Sequence, residues 1–478
     1  MLKTIIMAAG EGTRMKSKTS KVLHKLLNQE IIKYVVDASK LDDSQTIIIG
    51  GKNKDKLIEL FPDETIIEQK IGDAYPYGTG YAASLAIDKI ADEDQVLVLN
   101  GDIPLITKAS LKEFVENHKE SNSSASVLST RVQNPKSYGR IIRDDDGNFI
   151  GIVEDRDLDI NQLVIDEINT GIYIFKGEDL KQALSKLDTN NDQNELYLTD
   201  CIKILYNDGK RVMAFAASDA DEFYGINNKK ELAEAKKIMQ KRVNENHMLN
   251  GVIIENPEIA IIDPQAKIGM DTVISGPVKI LGKSEIGENC IIEGSSRIED
   301  SILKDNVKID NSVIEKSFVD EGSDVGPYAH LRPKANLGKN VHIGNFVEVK
   351  NATIGDGTKA GHLAYIGDSD LGSKINIGCG VIFVNYDGKF KHRSIVKDNA
   401  FIGSNSNIIA PVIIEEEAYI AAGSTITNDV EQGALSIERA EQKNIPGYVE
   451  KKRKRDLEKE KEQKWHLINH NHLFTEEN

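Results

Sequence analysis

Three places in the 478-residue sequence carry residue types that could do chemistry. The first is MAAGEGTRM, Met7 to Met15, followed by Lys21 in SKVLHKL. Gly10 and Gly12 let the backbone approach a phosphate closely, and the turn after them can aim its N–H groups at it. Arg14 and Lys21 bring the positive charge that a phosphoryl-transfer transition state needs. The spacing is neither GxGxxG nor a Walker A loop, so an ordinary glycine turn fits these residues too. The second place is NGDIPL, which puts Asp102 at the end of an expected strand, Gln95–Leu99. A carboxylate there can hold Mg²⁺ between nucleotide phosphates, though an aspartate in a plain turn gives the same pattern. The third is the polar cluster KAGHLAYIGD, NIGCG and NYDGKFKHR. Its His362 is a natural general base for making an amine nucleophilic, since imidazole as a side-chain type exchanges protons near neutral pH, with a surface turn histidine as the alternative. Cys379 could be taken for a nucleophile, but direct transfer to an amine needs no acyl-enzyme. It reads as a small residue lining the site.

The elements that must position these residues differ between the two halves. The first 225 or so residues alternate short β-rich runs with helical stretches. Strands are expected at Leu2–Ala8, Thr46–Ile49, Thr65–Glu68 and Gln95–Leu99, and helices near Val22–Lys40, Lys54–Phe61 and Tyr81–Ile90. Such alternation predicts an α/β domain, a Rossmann-like, mostly parallel sheet with helices on both faces and ligands at the carboxyl ends of its strands. NKKELAEAKKIMQKRVNENHML, Asn228 to Leu249, reads as one long linker helix.

From residue 262 the period changes. Ile262, Ile268, Ile274, Ile280, Ile286, Ile292 and Ile298 stand six residues apart. A run in shifted phase follows at Val307, Val313, Val319, Val325, Leu331, Leu337, Ile343 and Val349, and a third at Ile402, Ile408, Ile414, Ile420 and Ile426. A hexapeptide repeat predicts a parallel β-helix in which each aliphatic residue points into a stacked core. Between Ile354 and Ile402 the phase slips, and glycines and polar residues in place of inward aliphatics suggest loops or a cleft. The tail from about Glu438, with EKKRKRDLEKEKEQKW, reads as a solvated helix.

Bulk properties exclude several function classes. Hydrophobic residues make up 40% and charged residues 28%, as in soluble globular proteins, and no apolar run approaches membrane-helix length. The N-terminus reads as a strand, with no signal peptide. Cys201, Cys290 and Cys379 are odd in number and far apart, which fits a reduced, cytoplasmic setting without a disulfide framework or zinc pattern. With 60 basic against 76 acidic residues, a net charge of −16 disfavours nucleic acid as a partner, and any anionic substrate must be held by local cations and backbone amides.

AAGEGTRM…K, GTG (78–80), NGD, YGR (138–140), IVE (152–154), EINTG (167–171) and GINN (225–228) occur in this order. With the hexapeptide array, they resemble the bifunctional UDP-N-acetylglucosamine pyrophosphorylase/glucosamine-1-phosphate N-acetyltransferases over roughly residues 1–445. The resemblance implies Mg²⁺-dependent transfer of uridylyl from UTP to N-acetylglucosamine-1-phosphate, giving UDP-N-acetylglucosamine and pyrophosphate. It implies a UTP and nucleotide-sugar site of Met7, Ala8, Ala9, Gly10, Arg14, Lys21, Gln69, Gly78, Thr79, Asn100, Asp102, Gly139, Glu154, Asn169 and Asn227. In that site Arg14 and Lys21 meet phosphates, Asp102 and Asn227 hold the metal, Gln69, Gly78 and Thr79 hold uracil, and Gly139, Glu154 and Asn169 hold the sugar. Two departures stand out: Ser20 replaces the family's usual proline before the lysine, and KIGDAYPY (70–77) is longer than its usual spacing.

In the second half, LRP (331–333), GNFVEVK (344–350), GHLAYIGD (361–368), NIGCG (376–380), NYDGK (385–389) and FIGSN (401–405) resemble the family's left-handed β-helix acetyltransferase. His362 is then the base that frees the sugar amine to attack acetyl-CoA, with Glu348 as its orienting group. Arg332, Lys350, Tyr365 and Asn376 hold glucosamine-1-phosphate. Cys379, Asn385, Tyr386, Lys391, Ser404, Ala422 and Arg439 line the acetyl-CoA side. The expected domains are a pyrophosphorylase domain 1–227, a linker helix 228–250, a β-helix 251–437 and a tail 438–478. Small-molecule substrates, a homotrimer and supply of peptidoglycan and lipopolysaccharide precursors complete what the resemblance implies. The alternative is a single-activity sugar-phosphate nucleotidyltransferase whose β-helix is only structural; a non-enzymatic repeat scaffold fits the phosphate and metal candidates poorly.

Overall fold

The computed structural model describes residues 1–70, 72, 75–135, 138–189 and 195–473, with side chains through 466. The chain falls into two compact units, Met1–Pro333 and Lys334–Asn478.

The first unit opens with the α/β domain. Its strands are β1 (Leu2–Ala8), β2 (Lys25–Leu26), β3 (Gln29–Glu30), β4 (Ser44–Gly50), β5 (Thr65–Glu68), β6 (Gln95–Asn100), β7 (Ala125–Arg131), β8 (Arg140–Arg143), β9 (Phe149–Val153), β10 (Glu167–Lys176) and β11 (Val212–Ala217). Its helices are α1 (Ile31–Ser39), α2 (Lys54–Leu60), α3 (Thr79–Ser84), α4 (Lys108–Ser121), α5 (Gly177–Ser185), α6 (Leu198–Asn207) and α7 (Lys229–Leu249). The main sheet runs β11-β7-β10-β6-β1-β4-β5, parallel except for β10, which pairs antiparallel with β6 and β7. Strand alternation divides the core. Ile5, Ile47 and Val98 face α3, α5 and α6, while Ile6, Ile48 and Leu99 face α1, α2 and α4.

Two expected helices are shorter than their periodicity suggested. Val22–Lys40 is a 3₁₀ turn, Lys21–Leu23, then the β2–β3 hairpin, then α1. The hairpin turns at Leu27, whose φ of 54° breaks any helix there. Tyr81–Ile90 divides into α3 and a 3₁₀ turn at Ile87–Lys89.

Helix α7 is capped by Asn228, whose side chain accepts N–H bonds from Lys230 and Glu231 at 2.9 and 3.0 Å. Leu232, Ala235, Ile238 and Met239 close a small core with Leu26, Ile31, Leu105 and Ile226. The helix also binds the first β-helical coils, because Asn244 Nδ2 donates to the carbonyls of Pro257 and Ala260 at 2.6 and 3.1 Å.

In the first unit the coils stack Ile262 under Ile280, Ile298, Ile314 and Leu331 along one sheet of parallel pairs. The inward column corrects the expected phase. Between Ile298 and Val319 the inward strand residues are Leu303, Ile309 and Ile314, and Val307 just before its strand is fully buried in the core as expected, whereas Val313 points outward and is half-buried. Corners at Asp300, Asn311 and Lys316, with φ of 46°, 41° and 45°, each drop one residue from the repeat.

The second unit continues the same construction by itself. Ile343, Ala360, Ile377, Ile402 and Ile420 form one inward ladder, and Ile354, Leu371, Val396 and Ile414 another. The expected break between Ile354 and Ile402 is narrower than the polar composition suggested. Ala360, Ile366, Leu371, Ile377 and Phe383 keep the core filled, and the excursion is confined to Asn385–Arg393. The tail carries α8 (Tyr448–Leu473), exposed throughout its described side chains.

Candidate functional sites

Parallel register brings the carboxyl ends of four strands of the first unit together: Met7 lies opposite Asn100, Ala8 opposite Gly50, and Gly50 opposite Glu68. The chain leaving these ends lines a cavity of about 220 Å³. It gathers Met7, Ala8, Ala9, Gly10, Lys21, Gln69, Gly78, Thr79, Asn100 and Asp102, ten of the residues expected from sequence, together with Val22, Tyr77, Ala82 and Glu195, which were not.

At one wall, Lys21 Nζ is 2.5 Å from Asp102 Oδ2 and 3.3 Å from Asn227 Oδ1. Arg14 Nη2 donates to the same Asn227 oxygen at 2.9 Å. Asn227 is fixed from behind, its N–H donating to Glu231 Oε2 at 2.6 Å. Gly12, with φ 61°, must stay bare, because a Cβ there would come within 2.6 Å of Lys21 Cβ. Gly171 is bare for a similar reason: a Cβ would stand 2.7 Å from Asn100 Nδ2.

Ser20 takes a φ of −55°, within proline's range, and its hydroxyl oxygen accepts Asn53 Nδ2–H at 3.0 Å. Asn53 also donates to the Ala8 carbonyl at 3.0 Å, so a side-chain bond does the tethering of a proline ring. Of KIGDAYPY, residues 71, 73 and 74 lie outside the described residues.

Gly139, Glu154 and Asn169 form a second group. Asn169 N–H donates to the Gly139 carbonyl at 2.8 Å, and a Cβ on Gly139 would meet Glu154 Oε2 at 3.4 Å. Burial, reinforced by Asp157, Asp200 and Asp155, pushes the Glu154 carboxyl above its ordinary value. Asn169 Nδ2 donates to the hydroxyl of Tyr173, 2.8 Å away, a residue that sequence reasoning missed.

A larger groove of about 750 Å³ shares Ala9 and Gly10 with the cavity. Two of its lysines are paired within it, Lys52 with Glu11 at 2.6 Å and Lys56 with Glu59 at 2.8 Å. The smaller cavity is the one that Lys21 and Asp102 line.

In the second unit, His362 ends its strand in register with Asn345, and the ring Nδ1 lies 2.8 Å from Asn345 Oδ1. Asn345 is a partner of His362 that sequence reasoning did not name. Glu348 is on the neighbouring sheet, opposite Tyr365. The Tyr365 hydroxyl accepts from Asn385 Nδ2 at 3.4 Å, and the same amide donates to Asp368 Oδ2 at 2.5 Å. Lys350 is in register with Gly367, and Asn376 with Lys359 and Phe401. Tyr386 and Lys391 pair across a short hairpin. Cys379 is an exposed free thiol whose carbonyl accepts Asn405 N–H at 2.7 Å. Ser404 begins the turn above Gly378, and Arg439 Nη1 donates to the Ala422 carbonyl at 2.9 Å. Arg332 belongs to the first unit, where its carbonyl accepts the Ser317 hydroxyl at 3.1 Å. Sequence reasoning also missed Asp368 and Arg393, because side chains that brace a loop from a neighbouring coil leave no local motif.

Among the described residues no helix is long and apolar enough to cross a membrane, and no group of three or more His, Cys, Asp or Glu could hold a metal.

The nucleotidyl transferase family matches residues 3–241, and the bacterial transferase hexapeptide family (six repeats) matches residues 393–428. The bifunctional protein GlmU of Clostridioides difficile (strain 630) is 51% identical over 455 residues, 95% of this chain and 98% of that one. That of Enterococcus faecalis (strain ATCC 700802 / V583) is 48% identical over 449 residues, 94% of this chain and 97% of that one. The chain therefore belongs to the bifunctional GlmU family, and it is an enzyme of UDP-N-acetylglucosamine biosynthesis with two activities, N-acetylglucosamine-1-phosphate uridylyltransferase and glucosamine-1-phosphate N-acetyltransferase.

Proposed function

We propose that uridylyl transfer takes place in the cavity holding Lys21 and Asp102, and acetyl transfer around His362. The observation that carries the first assignment is one lysine ammonium within hydrogen-bond reach of both Asp102 and Asn227. Their oxygens converge on one positive charge, as two ligands of a cation must. Mg²⁺ usually takes one or two protein oxygens and completes its octahedron with phosphates and water, so this pair fits it without a third carboxylate. When bound, held by Asp102 and Asn227, the ion would supply positive charge to neutralise the nucleotide phosphates.

The residues of the chain do the rest. Gln69, Gly78 and Thr79 hold the uracil, and Gly139, Glu154 and Asn169 hold N-acetylglucosamine-1-phosphate. Arg14 and Lys21 turn from Asn227 and Asp102 to the phosphates and neutralise charge as the sugar phosphate oxygen attacks the α-phosphorus in line. Alignment and charge neutralisation carry this reaction, and no acid or base is required.

In the second site, with Asn345 Oδ1 accepting, His362 keeps its proton on Nδ1 and offers the Nε2 lone pair to the sugar ammonium. The freed amine attacks the thioester carbonyl of acetyl-CoA, and the thiolate of CoA takes up a proton as it leaves. Lys350, Tyr365 and Asn376 hold the sugar phosphate; Cys379, Asn385, Tyr386, Lys391, Ser404, Ala422 and Arg439 face the cofactor.

The domains assigned to these steps are 1–227 and 251–437, joined by 228–250, with 438–478 as the tail. A homotrimer would cover outward side chains such as Ile382, Tyr419 and Leu435, which are exposed in the single chain. The unpaired cysteines support a cytoplasmic, reducing location.

Asp102→Ala tests the assignment. It should remove Mg²⁺-dependent formation of UDP-N-acetylglucosamine and leave acetyl transfer intact; retained uridylyl transfer would displace Asp102.

A further inference from the structure

The excursion Asn385–Arg393 carries three of the residues assigned to acetyl-CoA, and its own geometry shows what holds it. Both legs are bolted to one strand, Ser369–Leu371, and the residue before it. On the incoming leg, Asn385 Nδ2 donates to Asp368 Oδ2 at 2.5 Å. On the outgoing leg, Arg393 Nε donates to Asp370 Oδ2 at 2.5 Å, and its other nitrogens reach the carbonyls of Asn351 and Ser369 at 2.9 and 3.1 Å. Above these anchors the loop is a hairpin with few bonds of its own: Tyr386 bridges to Lys391, and His392 N–H donates to the Asn385 carbonyl at 2.8 Å. A two-stranded hairpin this short is marginal in water without further support.

That support converges on one side chain. Asp387 Oδ1 accepts the N–H groups of Lys389 and Phe390 at 2.8 and 2.7 Å, which shapes the turn. Its other oxygen lies 2.7 Å from His392 Nε2, across the mouth of the hairpin. These bonds hold the Asp387 carboxyl at about 2, the His392 bond counting most. Asp387 and His392 are each next in sequence to an assigned side chain, Tyr386 and Lys391.

We propose that Asp387 and His392 are positioning residues for acetyl-CoA: their bond closes the hairpin and so fixes where Tyr386 and Lys391 meet the cofactor. This rests on acetyl transfer in the second unit. Neither side chain is assigned to the reacting atoms, so their loss acts on the KM for acetyl-CoA and spares kcat.

The test is steady-state acetyl transfer by the full-length enzyme, with acetyl-CoA varied at saturating glucosamine-1-phosphate. Asp387→Ala should raise the KM for acetyl-CoA roughly tenfold and His392→Ala roughly threefold, with kcat within about twofold of the parent. His392→Gln, which can still donate to Asp387, should restore most of the affinity, and Asp387→Asn, which still accepts the turn N–H groups, should fall between. Adding His392→Ala to Asp387→Ala should cost nothing further, since the two act through one bond. A far-ultraviolet circular dichroism spectrum and a melting temperature matching the parent's confirm that each variant is folded. An unchanged KM in His392→Ala, a loss confined to kcat, or additive effects in the double variant would overturn the pair. A parent enzyme that does not acetylate would instead defeat the reading on which the pair rests.

Discussion

Asn345 Oδ1 and His362 Nδ1 lie 2.8 Å apart across adjacent strands in register. The β-helix ladder therefore sets the ring's orientation, and the bond leaves Nε2 as the basic nitrogen.

His362→Ala should lower acetyl transfer by roughly 10²–10⁴-fold, the usual value of a general base, with uridylyl transfer unchanged. Asn345→Ala should lower kcat by about tenfold and leave the KM for acetyl-CoA within about twofold, since the ring remains but loses its tautomer control. Stopped-assay kinetics on both activities check this. Acetylation at the parent rate by His362→Ala would remove the histidine from the mechanism.

Lys21 is paired at 2.5 Å with Asp102, one of the two proposed metal ligands. A divalent ion entering alone must displace that ammonium. Lys21→Met should therefore bind Mn²⁺ without nucleotide roughly tenfold more tightly than the parent, by loss of a competing ion pair of about 1.4 kcal/mol. Electron paramagnetic resonance of free Mn²⁺ measures it. Equal or weaker binding would show that Lys21 does not compete for these oxygens.

Helix α7 was expected to follow a complete domain, yet it supplies Leu232, Ala235, Ile238 and Met239 to a core with Leu26, Ile31, Leu105 and Ile226. It also carries Glu231, which holds the Asn227 backbone at 2.6 Å. A fragment 1–249 should keep uridylyl transfer and melt several degrees above a fragment 1–227, in line with the loss of about 1–3 kcal/mol of packing. Equal melting temperatures and activities would show that the helix is only a connector.

His118 is buried, its ring nitrogens 2.7 Å from Ser126 Oγ and Gln95 Oε1, and burial lowers its pKa to about 4. The unfolded chain takes up a proton near pH 6.5 and the folded chain does not, so stability is present above that pH and is lost as pH falls toward about 4. By that linkage the loss reaches at most about 3 kcal/mol. His118→Gln should flatten urea-unfolding stability between pH 7 and 5 relative to the parent; an unchanged pH slope would assign the acid sensitivity elsewhere.

Strand alternation and the hexapeptide period showed both architectures, because each reports directly which side chains face a core. Local motifs showed Gly10 and Asp102, which follow strand ends that the parallel register brings together, and Lys21, which a 3₁₀ turn carries to the same place. The period hid its own corrections: Val313 is as aliphatic as Ile314, and only the tight corners at Asn311 and Lys316 decide which one points inward. Asn345 was illegible for the opposite reason. It acts on His362 from the coil below, and a ladder partner seventeen residues away is visible only once the coil length is known.

The most direct measurement is mass spectrometry of one reaction containing glucosamine-1-phosphate, acetyl-CoA, UTP and Mg²⁺, run with the parent, His362→Ala and Asp102→Ala. The parent should yield UDP-N-acetylglucosamine. Asp102→Ala should stop at N-acetylglucosamine-1-phosphate, and His362→Ala should leave glucosamine-1-phosphate but still convert added N-acetylglucosamine-1-phosphate. Failure of the parent to form the acetylated nucleotide sugar, or loss of both steps in either folded variant, would contradict two independent transferase sites on one chain.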